Sequence, residues 1–364
     1  MNTILIVDDD PVTRIFLEEM LLQGGYRVVS ASNGVEALER LEERSCDLIL
    51  MDILMPVMDG YEATRRIKKR SASGFLIPVI FLTSVQTDQE LACCLECGGD
   101  DFLNKPPNPI LLNARIQVWL QRADMANRLA IDRLDVENVI LKMRLDHHFD
   151  PRGLRVLMTP LGRTTGDIVL SARRGDGVHC LMVGDFAGHG LAAAICGPLV
   201  SDLFYRLTEQ NVDLWTIISQ LNNLIYTRMP INMFLSAAFL ELDRTRGVLH
   251  VWNAAFPPVV RIRAGKAMDR FPASLPLLGI CAELSVPAQR CMGEWREGDR
   301  IYLFSDGSLE TRSETWECFG MERMEAFLER EIFVGGELET ILPVLEAFSG
   351  GKERLDDITM VEVL

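Results

Sequence analysis

A set of acidic, hydroxyl and cationic residues closes short apolar runs in this chain. Asp8 and Asp9 follow the run Ile4–Val7, Asp52 follows Asp47–Met51, Thr83 follows Pro78–Leu82 and Lys105 follows Asp101–Leu103. Three carboxylates brought face to face repel strongly unless a hard divalent cation neutralises them. Mg²⁺ held by a few carboxylates and a phosphoryl group is the natural fit. An aspartate in such a site can attack phosphorus and form an acyl phosphate. A hydroxyl and an ammonium, here Thr83 and Lys105, can then hold the transferred phosphoryl oxygens. One Asp at a strand end is ordinarily a turn residue, but matching residues after several successive runs set this pattern apart.

A second acidic set lies further along. Asp167 stands in Thr-Gly-Asp, and Asp185 ends an apolar run and opens Gly-Asp-Phe-Ala-Gly-His-Gly. Asp306 stands in Ser-Asp-Gly, and Asp356 and Asp357 precede the last apolar run. Oxygen donors without a Cys or His cluster favour Mg²⁺ or Mn²⁺. Two such ions roughly 3.5–4 Å apart lower the pKa of a shared water and aim it at a phosphoryl group. Gly184, Gly188 and Gly190 would let the loop backbone approach the ions. Singly each motif is weak, because Ser-Asp-Gly is also a common turn; their ordered combination is specific. His189 reads equally as a general acid, a group behind the ligands or a plain loop residue.

The elements that must position these residues follow from pattern. Over the first third, Ile4–Val7, Arg27–Ser30, Asp47–Met51, Pro78–Leu82 and Asp101–Leu103 read as strands. Val12–Leu22, Val35–Glu43, Tyr61–Arg70 and Gln89–Cys97 between them have helical spacing. Such alternation implies a parallel sheet with helices on both faces and a site at the carboxyl ends of the strands. From about Ile110 to His148 no strand signal and no Gly occurs. There Leu120, Asn127, Leu134 and Leu141, with Asp124, Ile131, Asn138 and Leu145, form a 3–4 spaced stripe. That stripe suits either a short coiled coil or a single helix packing against its own domains. After Pro151 many β-like segments surround two helical stretches, Leu191–Glu209 and Leu214–Arg228, which is an α+β order. The strands expected there are Leu154–Thr159, Ile168–Ala172, Cys180–Val183, Phe234–Leu242, Val248–Asn253, Val259–Arg263, Arg300–Phe304 and Thr359–Val363.

Composition bounds the rest. The chain has 364 residues, enough for two or three domains, with 37 Lys+Arg against 52 Asp+Glu and a net charge of −15. That balance argues against a chain that coats nucleic acid. Neither a signal peptide nor a run of ~18 apolar residues is found, so no membrane span is expected. The nine cysteines are odd in number and scattered. Without an export signal they read as reduced thiols of a cytoplasmic protein. The close group Cys93, Cys94 and Cys97 has no second Cys or His pair and reads as small buried side chains.

The segments "ILIVDDDPVTR", "DLILMDILMPVMDG", "PVIFLTS" and "GGDDFLNKP" resemble the receiver domain of two-component response regulators over residues 1–122. The resemblance implies a five-stranded parallel sheet of flavodoxin-like order 2-1-3-4-5, with Asp52 as phosphoacceptor from a histidine kinase. Asp9, Asp52 and the main-chain oxygen of Leu54 would hold Mg²⁺, with Asp8 assisting. Thr83 and Lys105 would read the phosphorylated state, Phe102 would be the aromatic switch residue, and Lys105–Pro106 would be a cis bond. Residues 123–150 would be a helical linker.

Over residues 151–364, "TTGD", "VGDFAGHG", "FLSAAFLELD", "NAAFPPVV", "LPLLGI", "EGDRIYLFSDGSLE", "FGMERM" and "DDITMVEV" resemble the SpoIIE-like branch of the metal-dependent (PPM) Ser/Thr protein phosphatases. This implies a β-sandwich flanked by helices and two Mn²⁺ or Mg²⁺ ions at one edge. Asp185 would bridge both ions, with the main-chain oxygen of Phe186, Asp167, Asp306 and Asp356 completing the shell; Asp356 matches the ligand better than Asp357. Thr165 stands where the family usually has Gly, and Phe256 where it often has His, which could alter substrate fit. The expectation is a response regulator whose output is phosphoserine or phosphothreonine hydrolysis in one in-line step without a covalent enzyme intermediate. An anti-anti-sigma (STAS-type) protein is the implied substrate, and a homodimer through the helix is possible on the coiled-coil reading. The alternative is an inactive phosphatase-fold adaptor that binds a sigma factor or its regulator. A DNA-binding output would need a basic helix-turn-helix, whereas "ERLDDITMVEVL" is acidic and strand-like.

Overall fold

The computed structural model describes residues 1–70, 75–84, 93–144, 148–188, 190–285, 291–352 and 354–364. The chain divides into two compact units, Met1–Val136 and Glu137–Leu364.

In the first unit β1 (Thr3–Val7), β2 (Arg27–Ala31), β3 (Leu48–Asp52), β4 (Val79–Thr83) and β5 (Asp101–Asn104) form one parallel sheet of order β2-β1-β3-β4-β5. The strands at its centre are near-continuous apolar runs because both faces are covered. Leu5, Val7, Met51 and Phe81 pack against Ala37 of α2 (Gly34–Glu43) and Ala63 and Ile67 of α3 (Gly60–Arg70). On the other face Ile4, Ile6, Leu50 and Leu82 meet Leu17 and Leu21 of α1 (Pro11–Gln23) and Leu112 and Ile116 of α4 (Pro109–Arg144). Local chemistry starts the first helices: Asp10 accepts the N–H groups of Val12 and Thr13, and Asn33 those of Val35 and Glu36. Of the expected helix Gln89–Cys97, residues 89–92 lie outside the described residues and 93–96 are helical.

Helix α4 is 36 residues long, about 54 Å at the usual rise of ~1.5 Å per residue, and belongs in part to each unit. Part of the stripe read from sequence is used within the chain, while Ile131 and Leu141 of it stay exposed. Leu120 packs on the first unit's core. The Leu76 N–H donates to Asn127 Oδ1 at 2.7 Å and Asn127 Nδ2 to Leu76 O at 3.2 Å. In the second unit Arg163 donates to Asn138 Oδ1 at 3.1 Å; Leu145 lies outside the described residues. A further exposed apolar series is Val118, Met125 and Val139 with Leu129, Val136 and Met143. It keeps heptad spacing in a shifted register. Periodicity counts apolar residues but does not show which of them the chain's own units cover.

The second unit contains two five-stranded antiparallel sheets. One has the order β13 (Cys291–Glu294), β10 (Val248–Ala254), β9 (Leu235–Asp243), β8 (His179–Phe186), β7 (Asp167–Arg173). The other has the order β12 (Lys266–Phe271), β11 (Val259–Arg263), β14 (Arg300–Phe304), β15 (Ile358–Val363), β6 (Leu154–Thr159). Leu181, Val183, Leu240 and Val251 of the first meet Val259, Leu303, Val361 and Val363 of the second in the sandwich core. Helices α6 (Gly197–Glu209) and α7 (Leu214–Arg228) cover the outer face of the first sheet through Val200, Phe204, Ile217 and Leu221. The short helix α8 (Asp306–Leu309) follows β14, and helices α9 (Gly320–Phe327) and α10 (Ile341–Ser349) cover the second sheet through Met324, Phe327, Ile341 and Leu345.

Strands β12 and β13 are absent from the sequence reading. Lys266–Phe271 alternates exposed and half-buried residues at a sheet edge, so its apolar signal is thin. The helix expected over Leu191–Glu209 is two helices, α5 (Leu191–Ala194) and α6, because Pro198 sits in the first turn of α6 and has no N–H to continue a preceding helix. By length and apolar content alone this stretch is long enough to cross a membrane. Here it is folded into the core, with Ala194, Val200 and Phe204 fully buried.

Candidate metal and phosphoryl sites

Parallel strands deliver their carboxyl ends to one edge, and in the first unit that edge carries the expected residues. Asp8 and Asp9 follow β1, Asp52 ends β3, Thr83 ends β4 and Lys105 follows β5. Carboxylate oxygens of Asp8, Asp9 and Asp52 lie within 4.8 Å of one another, a spacing that can hold a metal ion. Lys105 Nζ lies 2.6 Å from Asp8 Oδ2 and 2.8 Å from Asp52 Oδ1. Burial pushes the Asp52 carboxyl above its ordinary range, outweighing the hydrogen bond from Lys105. Burial works against the Lys105 ammonium, but hydrogen bonds to Asp52 and Asp8 prevail and raise its pKa. The Ile53 N–H donates to Asp52 Oδ1 at 2.9 Å, and the Lys105 N–H to Thr83 O at 2.8 Å. Thr83 is buried, Leu54 is exposed and Phe102 packs half-buried on the sheet core. The Lys105–Pro106 bond is cis. Gly60 makes this loop possible: a Cβ there would meet Asp52 O at 2.1 Å, so no side chain fits without moving backbone.

In the second unit Asp167 and Asp185 sit opposite each other on β7 and β8. Asp306 follows β14 and Asp356 precedes β15, two strands paired in the other sheet. The four carboxylates therefore approach from both layers of the sandwich. Burial pushes Asp185 up to about 9, reinforced by the charges of Asp167, Asp306, Asp356 and Asp357. Burial likewise pushes Asp167 up to about 7, and Asp306 is raised by burial, Asp356 and Glu310. Buried carboxylates that raise one another in this way fit a set that divalent cations would neutralise, and an all-oxygen donor set suits Mg²⁺ or Mn²⁺. Among the described residues only the Asp8, Asp9 and Asp52 oxygens meet the 4.8 Å spacing; the second cluster is looser. Phe186 is fully buried and its N–H donates to Gly166 O at 3.3 Å. His189 lies outside the described residues.

Asp357 has a different position from Asp356. Its Oδ1 accepts the Leu161 N–H at 2.6 Å, and its Oδ2 accepts the Thr165 hydroxyl at 2.6 Å and the Gly166 N–H at 3.0 Å. Thr165 Oγ1 in turn accepts the Asp167 N–H at 2.9 Å. Asp357 thus ties the loop before Asp167 to the strand that follows Asp356, and Thr165 is a working part of that tie. Sequence reasoning missed this role; the Asp-Asp doublet was its only signal. Arg163 in the same loop reaches α4, with Nε 3.6 Å from the buried Glu137 carboxylate. Phe256 is buried in the sandwich core, so it does not stand among the carboxylates. Gly184 packs tightly on Leu235 and Ala237 of the neighbouring strand, whereas Gly188 and Gly190 take the left-handed φ values of 92° and 75°. The closest backbone approach is at Gly307, where a Cβ would meet Asp357 O at 2.0 Å.

Residues 175–363 match the family of Stage II sporulation protein E (SpoIIE), and residues 4–117 match the response regulator receiver domain. The SiaA-PP2C domain of Pseudomonas aeruginosa has a similar fold, with a TM-score of 0.55 at 19% identity, over 65% of this chain and 98% of that one. The transcriptional regulatory protein AfsQ1 of Streptomyces coelicolor is 33% identical over 165 residues, 43% of this chain and 71% of the relative. The alkaline phosphatase synthesis transcriptional regulatory protein PhoP of Bacillus subtilis is 31% identical over 189 residues, 46% of this chain and 77% of the relative.

Proposed function

The chain belongs to the SpoIIE family and carries a response-regulator receiver domain ahead of the family's phosphatase fold, and on that premise we propose that it is a phosphorylation-controlled, metal-dependent phosphoserine/phosphothreonine protein phosphatase. In this reading a histidine kinase loads Asp52. Asp9, Asp52 and the Leu54 main-chain oxygen, with Asp8, would hold Mg²⁺, while Thr83 and Lys105 would take the phosphoryl oxygens and Phe102 would respond. Lys105 is already aimed, since its ammonium touches both Asp8 and Asp52. In the second unit Asp185, with Asp167, Asp306, Asp356 and the Phe186 main-chain oxygen, would hold two Mn²⁺ or Mg²⁺ ions. When bound, the ions supply an activated water and neutralise the phosphoryl oxygens. The protein's part is to hold the carboxylates in register, and Asp357, Thr165 and the Asp167–Asp185 strand pairing supply that rigidity.

The observation that carries the reading is the approach of Asp167, Asp306 and Asp356 to Asp185 from both sheets, close enough that their charges raise Asp185 and that Asp356 raises Asp306. Division into a receiver at 1–122, a helical linker at 123–150 and a phosphatase at 151–364 is part of the same proposal. So are a cytoplasmic location, a STAS-type anti-anti-sigma substrate in a partner-switching pathway, and a homodimer through α4. The test is Mn²⁺-dependent phosphate release from p-nitrophenyl phosphate and a phosphopeptide, with and without beryllofluoride. Activity no higher than that of Asp185→Ala in both states would remove the enzyme reading. Absence of bound metal as well would favour the adaptor.

A further inference from the structure

We propose that a cavity beside the second carboxylate cluster docks the segment of a phosphoprotein next to its phosphorylated residue, apolar at its centre and acidic at its flank. The choice of a phosphoprotein rests on the phosphatase reading above. The cavity measures about 730 Å³ and reaches Gly307 and Asp356, so it opens onto the cluster. That size lies in the range of roughly 300–1,000 Å³ typical of ligand sites, well beyond the needs of a single phosphoserine. Leu342 and Leu345 of α10, with Leu355 and Ile358, give it an apolar lining.

Trp316 forms part of the wall and is 70% exposed. Its φ is 67°, a region that side chains with a Cβ rarely adopt. The turn that imposes this is well bonded: the Trp316 N–H donates to Ser313 O at 3.1 Å and the Glu317 N–H to Ser313 Oγ at 3.1 Å. A large aromatic held in a disfavoured conformation and left in solvent is poorly explained by packing. Exposed Trp beside a concavity is a common anchor of protein recognition.

The charges on the wall specify the partner further. The Arg312 guanidinium and Lys352 Nζ each lie 5.6 Å from the Trp316 ring centroid. Arg354 donates to Thr159 O at 3.5 Å. Among the described residues none of these three cations pairs with a carboxylate, whereas Arg155, Arg263, Arg270 and Arg300 of the same unit all do. Glu310 and Glu346 also line the wall, and Glu310 stands close enough to raise Asp306, at the cluster end. Lys352 Nζ also donates to Ser313 O at 3.3 Å, so these cations contact only carbonyl oxygens and an aromatic ring. Three cations without a carboxylate partner among the described residues, around an apolar hollow in a chain of net charge −15, select a partner with acidic side chains near its apolar ones.

The test uses the full chain and two fluorescein-labelled phosphoserine peptides. One carries Leu, Phe and Glu within four positions of the phosphoserine; the other carries Ser and Lys in their place. The expected result is a kcat/KM at least tenfold higher for the first peptide, with the ratio falling to within threefold in Trp316→Ala and in Lys352→Glu. Equal use of both peptides, or a preference that survives both substitutions, overturns the cavity assignment while leaving the phosphatase reading intact. Failure to hydrolyse either peptide or p-nitrophenyl phosphate removes the phosphatase reading. Peptide anisotropy then decides the cavity: binding of the first peptide that Trp316→Ala abolishes supports it, and equal binding of both overturns it.

Discussion

Adjacent residues in this chain have sharply different work. Asp356 faces the cluster while Asp357 accepts three hydrogen bonds from the loop before Asp167. Asp356→Asn is expected to cut Mn²⁺-dependent phosphate release at least a hundredfold with little loss of stability. Asp357→Ala leaves buried donors without an acceptor and should destabilise the second unit by about 2–4 kcal/mol, read as a lower urea midpoint. The sequence singled out the doublet and preferred Asp356 to Asp357 as the candidate ligand, and the structure gives the two residues different partners. The tie through Asp357 was not legible, because it depends on a loop almost two hundred positions away in sequence. His179 offers a pH test. Burial, then the charge of Arg173, lowers its pKa from 6.5 to about 4, against a raising influence from Asp150; Arg244 and Arg152 also face it, and Ser171 Oγ lies 2.8 Å from its Nε2. The unfolded state takes up the proton first, so this stability is full above about pH 6.5 and is lost as the pH falls to about 4. His179→Gln should remove about 3 kcal/mol of that acid sensitivity, seen by comparing urea midpoints at pH 7 and pH 4.

Strands and helices show where periodicity succeeds and where context overrides it. The parallel sheet was readable from buried runs such as Leu48–Met51, and its order brings Asp8, Asp9, Asp52, Thr83 and Lys105 to one edge. The sandwich strands were readable too, apart from β12 and β13 at the sheet margins, where few side chains are buried. The break between α5 and α6 was overlooked because apolar spacing runs straight through it and only Pro198 marks it. At this scale the contact of α4 with the loop of the second site has a consequence. Arg163 bonds Asn138 and faces Glu137, two residues before the loop enters the Asp357 tie at Thr165. Arg163→Ala is expected to reduce the beryllofluoride response of phosphatase activity at least threefold while activity without beryllofluoride persists. A full response in that variant would show that α4 does not speak to the site through this residue.

For the whole molecule, the question is what the two units do together. The shifted stripe of Val118, Met125, Leu129, Val136, Val139 and Met143 remains exposed along α4, and a helix this long seldom leaves such a heptad face in water. The chain is therefore expected to run as a dimer in light scattering, and Met125→Glu with Val139→Glu should return it to the mass of a monomer. An unchanged mass in that variant would place the contact elsewhere. The acidic balance that first excluded nucleic acid is spread over both units, with only a few of its carboxylates gathered at the two sites. One parallel between the sites remains, the glycine of each Asp-Gly pair. Gly60 and Gly307 each leave just enough room for a carbonyl oxygen belonging to the neighbouring strand end. Each can become alanine through a single base change, without altering a charge or a ligand. On the proposed function, Gly60→Ala is expected to silence the input and Gly307→Ala the output, which makes them two separable loss-of-function loci. Combining Gly60→Ala with Gly307→Ala in an epistasis test would then rank the two halves of the circuit inside a cell.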